Sequence, residues 1–231
     1  IKDQDLSLQC LDCIRSVLLK FLANEDPLLT DIKRQMSGKT YLKKYGEIHF
    51  IHNMESNILD QVISLIKESN LDVKEVKIIS PFYSQVRSLA KKIRLKIHPS
   101  TIYLCVQKNN HTLDPKQIEN LHYVSTLEVR TKKHRRIHSK IILFKGSKNE
   151  LALIGSPNFT GAALNETYQI GKGNFEVALL IKGKGISELF AELDFTEISL
   201  EEIEESRIKE LQIRPVGYPY NIVSASYDIF V

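Results

Sequence analysis

The 231 residues include no tryptophan, only three cysteines, and no uninterrupted apolar run of the roughly 18 residues that a membrane-spanning helix needs. The missing apolar run excludes a helical membrane span. No stretch presents Trp and Phe along one face of a basic helix either, which argues against an interfacial membrane helix. Cys10, Cys13 and Cys105 are too few for a disulfide scaffold and suit a reducing compartment, so the cytoplasm is the expected location. Cys10 and Cys13 form a CxxC, but no second CxxC or Cys/His pair completes a four-ligand zinc set. The surrounding LSLQCLDCIRSVLLKFL has helical apolar spacing, so both thiols are expected on a buried helix face. Low-complexity tracts and internal repeats are absent too. What remains, 42% apolar and 26% charged, is an ordinary globular composition. The length suffices for one α/β domain with a small appendage, or for two small domains. Residue 1 is isoleucine and no signal-peptide pattern follows it, so the chain is expected to extend further at one end or the other.

The periodicity divides the sequence into three parts. Residues 1–45 read as a helical preamble or linker, with an amphipathic helix over 5–24 and a second over 27–45 in which Pro27 suits the first turn. Within it, Ser37-Gly38-Lys39-Thr40 has the ending of a phosphate-binding loop. The required earlier glycine is Lys33, however, and no apolar strand precedes it, so this is an ordinary helix segment or turn. From residue 46 to 210 strands and helices alternate. Strands are expected at 47–52, 75–80, 101–107 and near 126–131, with helices at 56–69, 84–93 and 114–121 between them. Further strands follow at 136–144, 150–156 and 174–181, the first two joined by a hairpin turn, and a helix at 185–194. This order predicts an α/β domain with a largely parallel or mixed central sheet covered by helices. Residues 211–231, with Pro215, Gly217 and Pro219, read as a linker or the start of a further domain.

The net charge of +4 says little, but its distribution says more. Residues 130–136, RTKKHRR, are almost entirely basic, whereas 197–210 is acidic. A basic stretch leading into a reactive segment fits a polyanionic substrate; a solvated edge strand using Lys and Arg to block pairing fits it as well.

The chemically informative segment is HSKIILFKGSKNELALIGSPNFT, residues 138–160. If 136–144 is a strand, His138 and Lys140 project from the same face. Taken alone, an HxK reads first as an exposed strand face. Gly155-Ser156-Pro157-Asn158 follows an apolar strand; its small residues let backbone approach a ligand, and the Asn amide can donate to a phosphate oxygen. A turn with a helix cap has the same composition. Glu176 lies inside the apolar NFEVALLI. A carboxylate buried there needs a partner, for which a histidine is suited; a strand-edge acid facing solvent is the alternative.

In this order, HSK, GSPN and NFE resemble the HxK…GSxN…E pattern of the phospholipase D superfamily, over about residues 47–194. The resemblance implies a phospholipase D-like αβα sandwich with a mixed central sheet, and catalytic roles for His138, Lys140, Asn158 and Glu176. One histidine attacks phosphorus to form a phosphohistidine. A histidine of a second HxK copy protonates the leaving oxygen, Lys and Asn hold the non-bridging oxygens, and Glu176 orients His138. No metal and no cofactor are implied. The segments IHN and ISPFYS are similar to strand ends that line the cleft in bacterial members, which makes Asn53, Ser80, Phe82 and Tyr83 candidate substrate contacts, with Ser156, Lys133, Arg135 and Arg136. Phe82 and Tyr83 would stack on bases. Two departures stand out: the Asp common five residues after the lysine is Lys145 here, as in the tyrosyl-DNA phosphodiesterase branch, and the sequence holds one HxK. The second copy is expected from a homodimer partner or from another part of a longer chain. The expected activity is a metal-independent nuclease or DNA-end-processing phosphodiesterase, with nucleic acid, DNA ahead of RNA, as the substrate. A lipid head-group hydrolase or an inactive nucleic-acid-binding or dimerisation module are the alternatives.

Overall fold

The structure, a computed structural model, describes residues 47–133, 135–168 and 174–208. The expected preamble, the CxxC, the 37–40 segment and the tail from 211 lie outside these residues. Eight strands form one mixed sheet: β1 (Glu47–His52), β2 (Val73–Ile79), β3 (Thr101–Val106), β4 (Val124–Thr131), β5 (Ile141–Gly146), β6 (Glu150–Gly155), β7 (Val177–Gly183) and β8 (Leu193–Glu197). Their spatial order is β1-β7-β6-β5-β2-β3-β4-β8. The β2–β3 and β3–β4 pairs are parallel and the other five antiparallel, as the alternation of strands and helices followed by a strand-rich half predicts.

Helix α1 (Ile58–Glu68) starts where the Asn57 side chain accepts the Asp60 N–H at 2.9 Å, and it buries Ile58, Leu59, Val62, Ile63 and Ile66 along one stripe. Helix α2 (Val86–Ile97) buries Val86, Leu89, Ala90 and Ile93 in the same way. A one-turn α3 (Gly161–Leu164) and α4 (Leu200–Ser206) complete the α-helices. All four contribute to one large core against Val76 and Ile78 of β2, Ile102 and Leu104 of β3, and Ile142 and Phe144 of β5. The opposite face carries Ile79, Cys105, Val129 and Ile137 in one cluster and Leu143, Ala152 and Ile186 in another. Among the described residues, the helical layer on that face is a 3-10 helix, Ile186–Phe190.

The differences from the sequence expectations are local. Residues 185–194 do not form one helix: Gly185 has φ +66°, Glu150 accepts the N–H and hydroxyl of Ser187 at 2.7 and 2.8 Å, and Leu193 and Phe195 leave to pair with β4 as β8. The helix expected over 114–121 shrinks to a 3-10 turn, Pro115–Gln117. Strand β5 begins at Ile141 rather than at 136. Its neighbours end near that point, β2 at Ile79 and β6 at Gly155, whose N–H donates to the Lys140 carbonyl at 3.3 Å, so residues before Lys140 have no ladder to join.

Helix α4 and the residues after it are held by a buried histidine. His111 is 0% exposed; its Nδ1 accepts the Leu113 N–H at 3.2 Å and its Nε2 faces the Ser206 hydroxyl at 3.2 Å. Because the Ser206 hydroxyl donates to the Glu202 carbonyl at 2.7 Å, Nε2 must be the protonated nitrogen and the ring is neutral. Burial, and next the Arg207 charge, push its pKa down to about 4. The unfolded chain takes up this proton near pH 6.5, so between pH 6.5 and 4 it binds more protons than the fold does. Stability is therefore full above pH 6.5 and falls as pH drops, by about 3 kcal/mol at pH 4. Urea unfolding against pH is expected to show this slope in the native protein and to lose it in His111→Gln; an equal slope in both would assign the acid lability to other groups.

Candidate active site

The sheet register brings the chemistry-bearing residues to one end. β1 ends at His52 opposite Val177, where β7 begins; Gly155 at the end of β6 sits opposite Ala178; Ile141 at the start of β5 sits opposite both Ile154 and Ile79. Asn53, Glu176, Ser156, Asn158, Lys140, His138, Ser80 and Phe82 all lie on the segments that leave this end of the sheet.

His138 and Lys140 precede β5 in a segment with no regular secondary structure, so the strand alternation expected for them does not apply. The His138 side chain lies on the surface with one flank edge-on to Phe82, ring centroids 6.3 Å apart. Neither ring nitrogen has a hydrogen-bond partner among the described residues. Partial burial against its neighbours, then the charges of Lys140 and Arg136, lower its pKa, so the ring stays neutral below the ordinary histidine range. The Lys140 ammonium donates to the His138 carbonyl at 3.1 Å. Burial lowers its pKa, against the opposing charge of Glu176.

Glu176 is 4% exposed and lies one residue before β7. Its carboxylate accepts the Ser156 hydroxyl, and Ser156 in turn accepts the Val177 N–H at 3.0 Å. Burial raises the Glu176 pKa; the Ser156 hydrogen bond, the Lys140 charge and an Asn174 hydrogen bond oppose the rise. The histidine partnership expected for Glu176 is thus not what the geometry gives: the carboxylate engages Ser156 and faces Lys140. The burial expected for it is present.

Asn158 is half-buried, its Oδ1 3.4 Å from the Ser80 hydroxyl. That hydroxyl has one hydrogen, and its nearer acceptor is the Phe82 carbonyl at 2.8 Å. Ser80 also accepts the Phe159 N–H at 3.1 Å, so it fixes the backbone beside Asn158. The Asn158 NH₂ has no partner among the described residues and is available to an anion.

Two candidate contacts, Tyr83 and Asn53, have other roles, and so does the glycine expected to let backbone approach a ligand. Tyr83 is 3% exposed, its hydroxyl donating toward the Cys105 carbonyl at 2.8 Å and its ring packed against Phe159, so it cannot stack on a base. Asn53 is 1% exposed and faces no open space. Its Oδ1 accepts the Glu176 N–H at 2.9 Å and its Nδ2 donates to the Asn174 carbonyl at 2.9 Å, extending the β1–β7 pairing by one side-chain rung. Gly155 admits a neighbouring strand, not a ligand: a Cβ there would lie 2.4 Å from the Val177 carbonyl oxygen.

The basic stretch is partly neutralised. Arg130 forms a two-pronged pair with Glu128, both contacts at 2.7 Å, and Lys132 lies 3.5 Å from Glu192. Lys133 and Arg135 are exposed and make no ion pair among the described residues; His134 lies outside them. Arg136 is exposed, with its Nε held by the Asn110 Oδ1 at 2.7 Å. Gln107 and Asn110, which hold residues 135–137, carry no sequence signal beyond being amides in a turn after β3. No group of three His, Cys, Asp or Glu side chains gathers closely enough to hold a metal ion, and no helix is long and apolar enough to cross a membrane, among the described residues.

No family model matches the sequence, and no curated protein is similar to it. Among solved structures, the chain is similar to the yeast tyrosyl-DNA phosphodiesterase, with 15% identity and a TM-score of 0.39 over 58% of this chain and 31% of that one. It is also similar to the polyphosphate kinase of Porphyromonas gingivalis, with 13% identity and a TM-score of 0.38 over 74% of this chain and 27% of that one. The chain thus spans about a third of the length of the yeast enzyme and matches both proteins only as a partial likeness.

Proposed function

We propose that the chain carries one half of a phospholipase D-type phosphodiesterase site that cleaves nucleic acid. The observation that supports this most is the company His138 keeps. A surface imidazole, neutral and with both nitrogens unengaged, stands beside a partly buried ammonium, at the sheet end that also presents an Asn amide with a free NH₂. A phosphodiester repels nucleophiles with its negative oxygens; Lys140 and Asn158 would bind those oxygens and hold the charge that develops on them. A His138 nitrogen then forms a bond to phosphorus as the bond to the leaving oxygen breaks. That oxygen takes its proton from the histidine of a second HxK copy, supplied by a partner chain or by another part of a longer chain. The same histidine then removes a proton from water, which attacks phosphorus, breaks the P–N bond and restores His138. Glu176 keeps Lys140 charged and Ser156 in place. Lys133, Arg135 and Arg136, on the segment leading to His138, give the path for a polyanionic backbone.

Bis-p-nitrophenyl phosphate and a labelled DNA oligonucleotide test this reading with the protein in its native assembly. Hydrolysis of both is expected, undiminished by EDTA. Oligonucleotide binding is expected to weaken with salt at a log–log slope of roughly −2 to −3, as for three phosphate contacts. Absence of hydrolysis, or loss of it in EDTA, overturns the chemistry; a flat salt response overturns the nucleic-acid substrate.

A further inference from the structure

The segment carrying His138 has no strand partner before Lys140, whose carbonyl accepts the Gly155 N–H at 3.3 Å, yet it is not loose. Two amides in the turn after β3 take the place of a ladder. The Gln107 side chain donates to the Arg135 carbonyl at 2.9 Å and accepts the Ile137 N–H at 2.8 Å. The Asn110 side chain donates to the Ile137 carbonyl at 2.7 Å and accepts the Arg136 Nε–H at 2.7 Å. The two amides also touch each other, Asn110 Nδ2 to Gln107 Oε1 at 3.1 Å, and the turn is closed by the Asn110 N–H on the Gln107 carbonyl at 3.0 Å. Ile137 is pinned on both backbone groups, and its side chain is buried against Ile79, Cys105 and Val129. Asn110 is itself buried.

We infer that Gln107 and Asn110 are positioning residues for His138: together they fix the backbone of 135–137 so that the next residue presents its imidazole beside Lys140. The inference rests on the function proposed above only for its kinetic consequence. The placement of the ring follows from the hydrogen bonds alone. The His138 ring has no hydrogen bond among the described residues, so its orientation is set by the backbone before it, the Phe82 edge and the start of β5. Of these, the backbone before it is held at Arg135 by the Thr131 hydroxyl, which accepts its N–H at 2.7 Å, and through Ile137 by Gln107 and Asn110, two amides that sequence periodicity does not mark.

Three substitutions test this. Asn110→Ala removes both contacts to 135–137. Asn110→Asp keeps an acceptor for Arg136 but removes the donor to the Ile137 carbonyl. Gln107→Ala removes a half-buried surface side chain and serves if the Asn110 variants fail to fold. For Asn110→Ala and Gln107→Ala, kcat is expected to fall about 10- to 100-fold with KM changed less than about threefold, the cost of a misplaced reacting group. Asn110→Asp is expected to be no better than Asn110→Ala; rescue by aspartate would assign the effect to the hold on Arg136 and overturn the backbone clamp. A proton NMR titration of the His138 ring gives a readout independent of turnover. Released from the flank of Phe82 and from Lys140 and Arg136, the ring is expected to titrate higher in the alanine variants, toward the ordinary histidine value. An unchanged His138 titration in folded Asn110→Ala and Gln107→Ala overturns the inference. A shifted titration in a protein that never hydrolyses a phosphodiester leaves the clamp standing and removes the proposed function instead.

Discussion

Replacing His138 with alanine is expected to lower phosphodiester hydrolysis by at least about 10⁴-fold while leaving the fold unchanged. The two parts of this expectation have separate grounds. The ring makes no hydrogen bond among the described residues and packs only edge-on to Phe82 from the surface, so its removal opens no buried cavity and strands no polar group. Circular dichroism and the thermal midpoint should therefore stay within a degree or two of the native values. The catalytic loss follows because His138 is the group proposed to attack phosphorus, and two neighbouring hydroxyls are already engaged, Ser156 with the Glu176 carboxylate and Ser80 with the Phe82 carbonyl. Rapid acid-sensitive, base-stable labelling from a ³²P phosphodiester is expected in the native protein and not in His138→Ala. A variant retaining a tenth of the activity would remove His138 from the chemistry.

The second large effect is expected at Lys140. Lys140→Met should cost about 10²–10³-fold in kcat, the usual range for losing one group that stabilises transition-state charge. Lys140→Arg should recover only part of it, since the guanidinium is planar and larger than the ammonium it replaces. The neighbouring groups give the pH dependence its sign. In the proposed scheme hydrolysis requires neutral His138, charged Lys140 and a protonated histidine from the second HxK copy. Burial and then nearby cations lower the His138 pKa, so the acidic limb of kcat/KM should lie below the ordinary histidine value of about 6.5. The alkaline limb then reports loss of the proton from the second-copy histidine; burial lowers the Lys140 pKa, so its deprotonation caps that limb below the ordinary lysine value of about 10.4. In Lys140→Met the acidic limb should shift upward, because one cation that disfavours protonation of His138 is gone. A profile whose acidic limb does not move would mean that Lys140 and His138 are not electrostatically coupled.

Much of the scaffold is legible in the residues. EIHFIH and ELALIG are strands bounded by turn chemistry, and the structure returns them as β1 and β6. Helix α1 is equally plain, with an Asn cap and apolar residues three and four apart. What escapes is settled by contacts distant in the chain. Whether 136–140 continues β5 depends on where β2 and β6 stop, and on two amides near 110 that compete for its backbone. Whether 185–194 is helix or strand depends on Glu150 and on the free edge of β4. At the site, the residue types with acid–base and anion-binding chemistry are recognisable as HxK, GSxN and a buried Glu. Their partnerships are not, because an apolar strand can bury a carboxylate against a serine as well as against a histidine. Tyr83 and Asn53 show the same limit: in sequence they are polar residues at strand ends, and only packing reveals that one fills the core and the other extends a ladder.

The antiparallel run β5-β6-β7 sends its connections alternately to the two ends of the sheet. The 146–149 turn and the 183–185 turn leave from the end opposite His138. Six residues of β5, at about 3.3 Å each, set the first of these roughly 20 Å from the reacting groups. Ser147 and Lys184, exposed on those turns, are therefore suitable anchor points for a fluorophore or an immobilising tag, from which oligonucleotide binding can be tested without obstructing the sheet end that carries His138.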